Sequence, residues 1–156
     1  EPSEQVNEIL REEAQLGLDS PSYYESFGDR VSVLQRDLVA LLDRLRSAGK
    51  KIAAYGAAAK GTTLLNASGV RSEHLDFIVD RNTHKHGRYM PGLRTPIFGP
   101  ERLLTEMPDY VLLLAWNFKD EIIRQQAEYL ATGGKFIVPV PEVRVIDGLS
   151  DLSAAS

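Results

Sequence analysis

The chain has no cysteine. That removes a disulfide framework and any thiolate zinc site from these residues, and it makes a reducing compartment, the cytoplasm, the expected location. Long apolar runs are also missing. The longest, residues 110–116, falls well short of the ~20 residues a membrane-spanning helix needs, and the N-terminus carries no signal-peptide pattern. Positive charge is in deficit: 18 Lys and Arg against 22 Asp and Glu leave a net charge of −4. A surface of that balance repels nucleic acid, so neither nucleic acid nor a membrane is an expected partner. What remains is ordinary globular composition, 43% hydrophobic and 26% charged over 156 residues. A chain of ~150 residues buries roughly two-thirds of its unfolded surface, enough for one core and no second one. Its first residue is Glu1 and not Met, as expected of a processed or excised segment.

Periodicity divides the chain into three parts. Residues 1–50 read as a helical extension packing on the domain, residues 51–148 as a Rossmann-like α/β domain, and residues 149–156 as a frayed tail. Within the extension, residues 2–18 form a polar, weakly amphipathic helix ending near Gly17, and Ser20, Pro21 and Ser22 open a new one. From Val31 onward Leu34, Leu38, Leu41 and Leu45 recur at three- and four-residue steps, giving one apolar stripe that stops at Gly49 and suits packing on a sheet. Strands follow at 51–55, 75–79, 95–98, 110–115, 135–138 and 143–146. Helices fall at 62–68, closed by Gly69, briefly after Gly99-Pro100, and after Asn117, which is suited to cap a helix facing inward through Ile123, Ala127 and Leu130. The apolar run at 110–115 suits a central parallel strand, so the expected sheet is mostly parallel with helices on both faces.

The first strand runs straight into Gly56-Ala57-Ala58-Ala59-Lys60-Gly61, followed by Thr62 and a helix. A glycine-rich turn between a strand and a helix is the setting of a phosphate site: small residues let backbone N–H groups approach an anion, and the helix N-terminus favours negative charge. Lys60 opposes the helix dipole, which an anion between the two would relieve. The plainer alternative is that small residues allow close packing and Lys60 extends into solvent. Asp80 ends the second strand, where dinucleotide folds bind a ribose hydroxyl, or else it caps a loop. A complete dinucleotide fingerprint is not present, because Ala58 stands where G-x-G-x-x-G has its second glycine and its methyl meets the pyrophosphate.

Beyond the turn, the loop at 81–89 is rich in Arg, Lys and His. There Arg88 can grip a phosphate bidentately, Lys85 can act as a point charge, and Tyr89 lies beside them; a solvated basic loop is the alternative. His84-x-His86 lacks the acidic or thiolate partners a metal site wants, so no metal is expected. Trp116 and Asn117 follow the central strand at the same sheet edge, Trp116 either stacking on a ring or plugging the core. No residue qualifies as a catalytic group, since there is no Ser-His-Asp set, carboxylate pair or Walker loop.

Read as an ordered set, Gly56-Ala-Ala-Ala-Lys-Gly61-x-Thr63-Leu64-Leu65-Asn66, Asp80-Arg81-Asn82, Lys85-x-Gly87-Arg88-Tyr89-x-Pro91-Gly92, Ala115-Trp116-Asn117-Phe118 and the run from Gly133 to Pro139 resemble one module. It is similar to the C-terminal domain of the SAM-dependent C-methyltransferases that act on nucleotide-linked deoxysugars, over roughly residues 31–146. Thr62 and His86 depart from that family's pattern, which more often has Asn and Gln there. The resemblance implies a larger enzyme with an upstream SAM-binding domain, an N-terminal zinc region and this domain facing a nucleotide-sugar substrate. It also implies that no cofactor lies within this fragment, and that the base which removes the proton beside the keto group lies upstream. Two other readings stand beside it: an NAD(P)-binding oxidoreductase domain, and a non-catalytic docking domain.

Overall fold

The computed structural model describes residues 3–148. They fall into two compact units, one ending at Val33 and the other beginning at Leu34. In the first, helix α1 (Glu4–Gln15) is capped by the Ser3 side chain, which accepts the Val6 N–H, and it buries none of its residues. The chain leaves it through Gly17, at φ 72°. Ser20 caps α2 (Pro21–Tyr24), and the Tyr24 hydroxyl donates to the Leu18 carbonyl at 2.9 Å. Helix α3 (Phe27–Ser47) runs through the boundary between the units.

The second unit is α/β. Its strands are β1 (Ile52–Tyr55), β2 (Phe77–Val79), β3 (Ile97–Phe98), β4 (Tyr110–Leu113), β5 (Lys135–Val138) and β6 (Arg144–Ile146), and its further helices are α4 (Ala59–Ser68), α5 (Arg102–Glu106), α6 (Lys119–Gln125) and α7 (Ala127–Ala131). They build one six-stranded sheet in the order β3-β2-β1-β4-β5-β6. All neighbours are parallel except β5 and β6. This is the mostly parallel sheet expected from the sequence, with β4 and β1 at its centre.

Alternation along the strands sorts the core into two layers. Ile52, Ala54, Ile78, Leu112 and Ile137 pack with Leu38, Leu42 and Leu45 of α3 and Leu65 of α4. Ala53, Tyr55, Val79, Val111, Leu113 and Phe136 pack with Ile122, Ile123, Tyr129 and Leu130 of α6 and α7. A parallel sheet covered on both faces must be apolar on both, which is why β1, β4 and most of β5 are uninterrupted apolar runs. The buried face of α3 is turned slightly from the stripe read in the sequence: Leu42 is fully buried, while Leu34 and Leu41 are only half-buried.

Other boundaries moved for local reasons. Helix α4 begins at Ala59, three residues earlier than expected, because alanine and lysine carry the helix into the glycine turn. Asn117 caps nothing: it is exposed inside a tight 3₁₀ turn, Trp116–Phe118, that leads into α6. The single helix expected after it is broken at Gln126, so that Ile122 joins Ile123 in the core and Tyr129 joins Leu130. The tail beyond Gly148 lies outside the described residues.

At the amino ends of the strands, carboxylates hold β1 in place. Asp76 Oδ2 accepts the Ile52 N–H at 2.9 Å and pairs with Arg46 at the same distance. Asp109 Oδ2 accepts the Lys51 N–H at 2.8 Å while its other oxygen pairs with Lys50. Nearby, the fully buried Tyr129 donates its hydroxyl to the Pro108 carbonyl at 2.8 Å and accepts the Lys135 N–H at 3.2 Å. Burial pushes that phenol well above its ordinary range. Gly134 leaves room for this ring, since a Cβ there would fall inside it. Gly134→Ala should therefore destabilise the fold by about 1–3 kcal/mol through overpacking; an unchanged midpoint in thermal unfolding would show that the ring yields.

Candidate functional site

The chain leaves β1 at Tyr55 and turns sharply at Gly56, which has φ 96°. Only glycine takes that conformation at low cost, and a Cβ here would stand 3.0 Å from the Cβ of Ala115. Five residues on, Gly61 lets α4 lie against β4's continuation, where a Cβ would come within 2.7 Å of Leu114 Cβ. The outer glycines of the turn thus serve the bend and the close approach of helix to sheet, their roles in dinucleotide folds. Between them Ala58 stands ahead of α4 in extended conformation, and no side chain caps the helix. Thr62 makes the first intrahelical bond, its N–H to the Ala58 carbonyl at 3.0 Å, so the N–H groups of Ala59, Lys60 and Gly61 open the helix ahead of it.

Asp80 organises this edge. It is buried, 8% exposed, at the end of β2. Its Oδ2 accepts the Ala57 N–H at 2.7 Å and the Lys85 ammonium at 2.8 Å, and its Oδ1 accepts the Asn82 N–H at 2.8 Å. Lys85 also donates to the Ala57 carbonyl at 2.8 Å. Burial alone would push the Asp80 carboxyl up. The Lys85 ammonium and the two N–H groups outweigh that and hold it below the usual carboxylate range.

Lys60 has a different partner. Its Nζ lies 4.4 Å from the centroid of the Trp116 ring. A cation on a ring face gains ~0.5–1 kcal/mol at exposed sites, comparable with the ~0.3–1 kcal/mol it loses at a helix N-terminus. Trp116 is half-buried against the apolar layer under α6, as the core reading expected, and its ring also seats the lysine at the mouth of the turn.

Beside the turn, at the carboxyl ends of β1 and β4, lies a cleft of about 270 Å³. The strand order reverses between these two strands, which is where open α/β sheets take their ligands. Gly56, Ala58, Ala115, Phe118 and Ile122 make it largely apolar; Tyr55, Asp80, Arg81 and Glu121 complete it. Arg81 bridges Glu121 at 3.2 Å and reaches Gln125 at 3.4 Å, with Arg81 and Glu121 more than half exposed, so the bridge holds by no more than ~1 kcal/mol. The Tyr55 hydroxyl is buried and has no hydrogen-bond partner, a situation that ordinarily costs ~1–3 kcal/mol. Burial raises this phenol's pKa, with Asp80 and Glu121 adding to the rise and Arg81 opposing it.

Of the residues singled out from sequence, the turn from Gly56 to Gly61, Asp80, Lys85, Lys60 and Trp116 come together at this edge. Asp80 and Lys85 are committed to each other and to the turn. Thr62 folds back, its hydroxyl on the Ala58 carbonyl at 3.3 Å. Arg88 and Tyr89 are exposed along β3, through the bond from Ile97 N–H to the Arg88 carbonyl and the bridge between Tyr89 and Pro96, and neither lines the cleft. Sequence reasoning passed over Tyr55, Glu121 and Ile122 as cleft residues. A tyrosine closing the first strand, and an acid in the first turn after the central strand, were the available signals.

A glycine turn feeding a helix N-terminus at the reversal point of a mostly parallel sheet defines a Rossmann-like α/β domain. The family model for the C-methyltransferase C-terminal domain matches residues 1–141. The C-methyltransferase NovU of Streptomyces niveus is 42% identical over 147 residues, which cover 94% of this chain and 35% of NovU. The chain belongs to the family of C-methyltransferase C-terminal domains, and it spans about a third of the length of this curated relative.

Removing the carboxylate charge at Asp80 should be felt strongly. Asp80→Asn breaks a largely buried pair whose lysine is partly solvated, at an expected cost of about 2–3 kcal/mol. Because the native carboxyl titrates below its unfolded value of ~3.9, its contribution is full above that pH and drains away as pH falls through the folded value. Unfolding free energies measured from pH 7 to pH 2 should show the wild-type advantage over Asp80→Asn holding near neutrality and shrinking below pH ~4. A constant difference across the range would refute the clamp.

Proposed function

We propose that the chain is the substrate-facing C-terminal part of a SAM-dependent C-methyltransferase acting on a nucleotide-linked keto-deoxysugar, in which it binds and orients the sugar nucleotide and contributes no catalytic group. The observation that carries this reading is the N–H end of α4, armed with Lys60, opening beside an apolar cleft at the reversal point of the sheet. Negative charge is favoured there by the helix dipole and the lysine together. Phosphate oxygens approaching the Ala59 and Lys60 N–H groups would draw Lys60 from the Trp116 ring onto the anion, a stronger partner than a ring face. SAM, the proton-abstracting base and zinc belong, in this reading, to the preceding domains of a longer enzyme working in the cytoplasm.

An NAD(P)-binding domain is disfavoured on two counts. Ala58 puts a methyl where a pyrophosphate would press on backbone, and Asp80, the residue that would grip a ribose, is spent on Ala57, Asn82 and Lys85. The family match also points elsewhere.

Calorimetric titration of the full-length protein with dTDP-glucose and with NAD separates the readings. Binding of dTDP-glucose that falls at least about tenfold in Lys60→Ala is expected, the scale of a lost hydrogen bond to a charged group. The quantum yield of Trp116, the single tryptophan of this chain, should shift in a Trp116-only background as Lys60 leaves its ring. NAD binding in place of dTDP-glucose would restore the oxidoreductase reading, and silence toward both would favour a docking domain.

A further inference from the structure

The first unit is folded, yet none of residues 3–33 is buried, and Val6, Ile9, Leu10, Leu16 and Phe27 are all exposed. Isolated helices shorter than ~12–15 residues are marginal in water and draw most of their stability from what their apolar side covers. Helix α1 has 12 residues, with Val6, Leu10 and Ala14 recurring every four and Ile9 beside them. The unit also has a defined shape. Gly17 turns the chain in the left-handed conformation, Ser20 caps α2, and the bond from the Tyr24 hydroxyl to the Leu18 carbonyl closes the turn. Leu10, Ala14, Leu18 and Tyr24 then line a groove of about 400 Å³ together with Glu13 and Asp19. Charge is a second, independent signal. Residues 3–33 carry seven Asp and Glu against two Arg. Both arginines are engaged locally, Arg11 with the Asn7 carbonyl and Arg30 with the Ser26 hydroxyl. Every ion pair among the described residues falls within residues 43–147, so Glu13 and Asp19 stand at the groove without a cation. An apolar groove with unpaired carboxylates complements apolar side chains flanked by Lys or Arg, and it repels an anionic lipid surface or the same acidic face of a second copy.

We infer that the groove formed by α1, the Gly17 turn and α2 is a docking site for a basic amphipathic helix of another polypeptide, whose apolar anchors enter the groove while its Lys or Arg pair with Glu13 and Asp19. This is the helix-in-groove mode of recognition, read through apolar residues at steps of three and four. It concerns the first unit alone and stands or falls apart from the nucleotide reading above. Leu10 is exposed and α1 buries none of its residues, so Leu10→Asp removes an anchor of the groove without removing a core contact.

The test uses the full-length protein and a fluorescein-labelled synthetic helix with Leu at steps of three and four residues and Lys on both sides of that stripe, followed by fluorescence anisotropy. Wild type should bind this helix, and Leu10→Asp should weaken binding at least about tenfold, the scale of one leucine kept out of an apolar site. Glu13→Lys combined with Asp19→Lys should abolish binding of the Lys helix and confer binding of the same helix written with Glu, with helix content by circular dichroism as in wild type. A scrambled peptide of the same composition that binds equally well would show net charge alone at work and overturn the assignment. Silence toward the Lys helix, or binding that ignores Leu10→Asp, would overturn it too. A dimer in sedimentation that Leu10→Asp dissociates would give the groove to a second copy, and binding to phosphatidylserine vesicles that the same variant abolishes would give it to a membrane.

Discussion

The carboxylate of Asp80 joins the two loops on which the carboxyl edge of the sheet depends. Through one side chain the turn after β1, the loop after β2 and the Lys85 ammonium are drawn to a common point. The main chain of the same residue receives a further tie, from His86 Nε2 to the Asp80 carbonyl at 2.7 Å. Because the carboxylate takes the Ala57 N–H, the remaining donors of the turn are those at the start of α4. The residue that a fold-level analogy assigns to a ribose fastens the turn in this structure.

This arrangement separates what is rigid from what can respond. Gly56 and Gly61 are fixed by contact with Ala115 and Leu114, and Asn66 ties α4 to the loop between β2 and β3 through the Pro91 carbonyl, beside Gly92 at φ 84°. By contrast, Lys60 rests on Trp116 and Arg81 on Glu121, both weak, exposed or half-exposed contacts. The edge thus combines a backbone frame fixed by close packing with a few charged arms held by weak contacts.

Much of this was legible in the sequence, because the signals were local. The apolar runs of β1 and β4, the glycine turn and Gly69 after α4 each declare themselves within a few residues. The family resemblance rested on the same blocks. What the sequence hid was pairing over distance: that Asp80 takes the N–H of Ala57, that Trp116 carries Lys60, that the phenol of Tyr55 is left without a partner. Each depends on which strand lies beside which, since β2 and β4 both lie against β1 and bring their loops to the turn after it only once the sheet has formed. The misplaced cap at Asn117 has a similar origin, since a tight 3₁₀ turn ahead of α6 carries its side chain to the surface before the helix begins.

The sheet is also short where it ends. One border strand, β3, has two residues and the other, β6, has three and runs antiparallel, with Arg144 and Val145 exposed. Such stubs offer few unpaired N–H and C=O groups on which a further strand could be laid down. Growth of the sheet from one molecule into the next is thereby discouraged, and any contact this unit makes falls to loops and helix surfaces, where side chains and not backbone decide the partner.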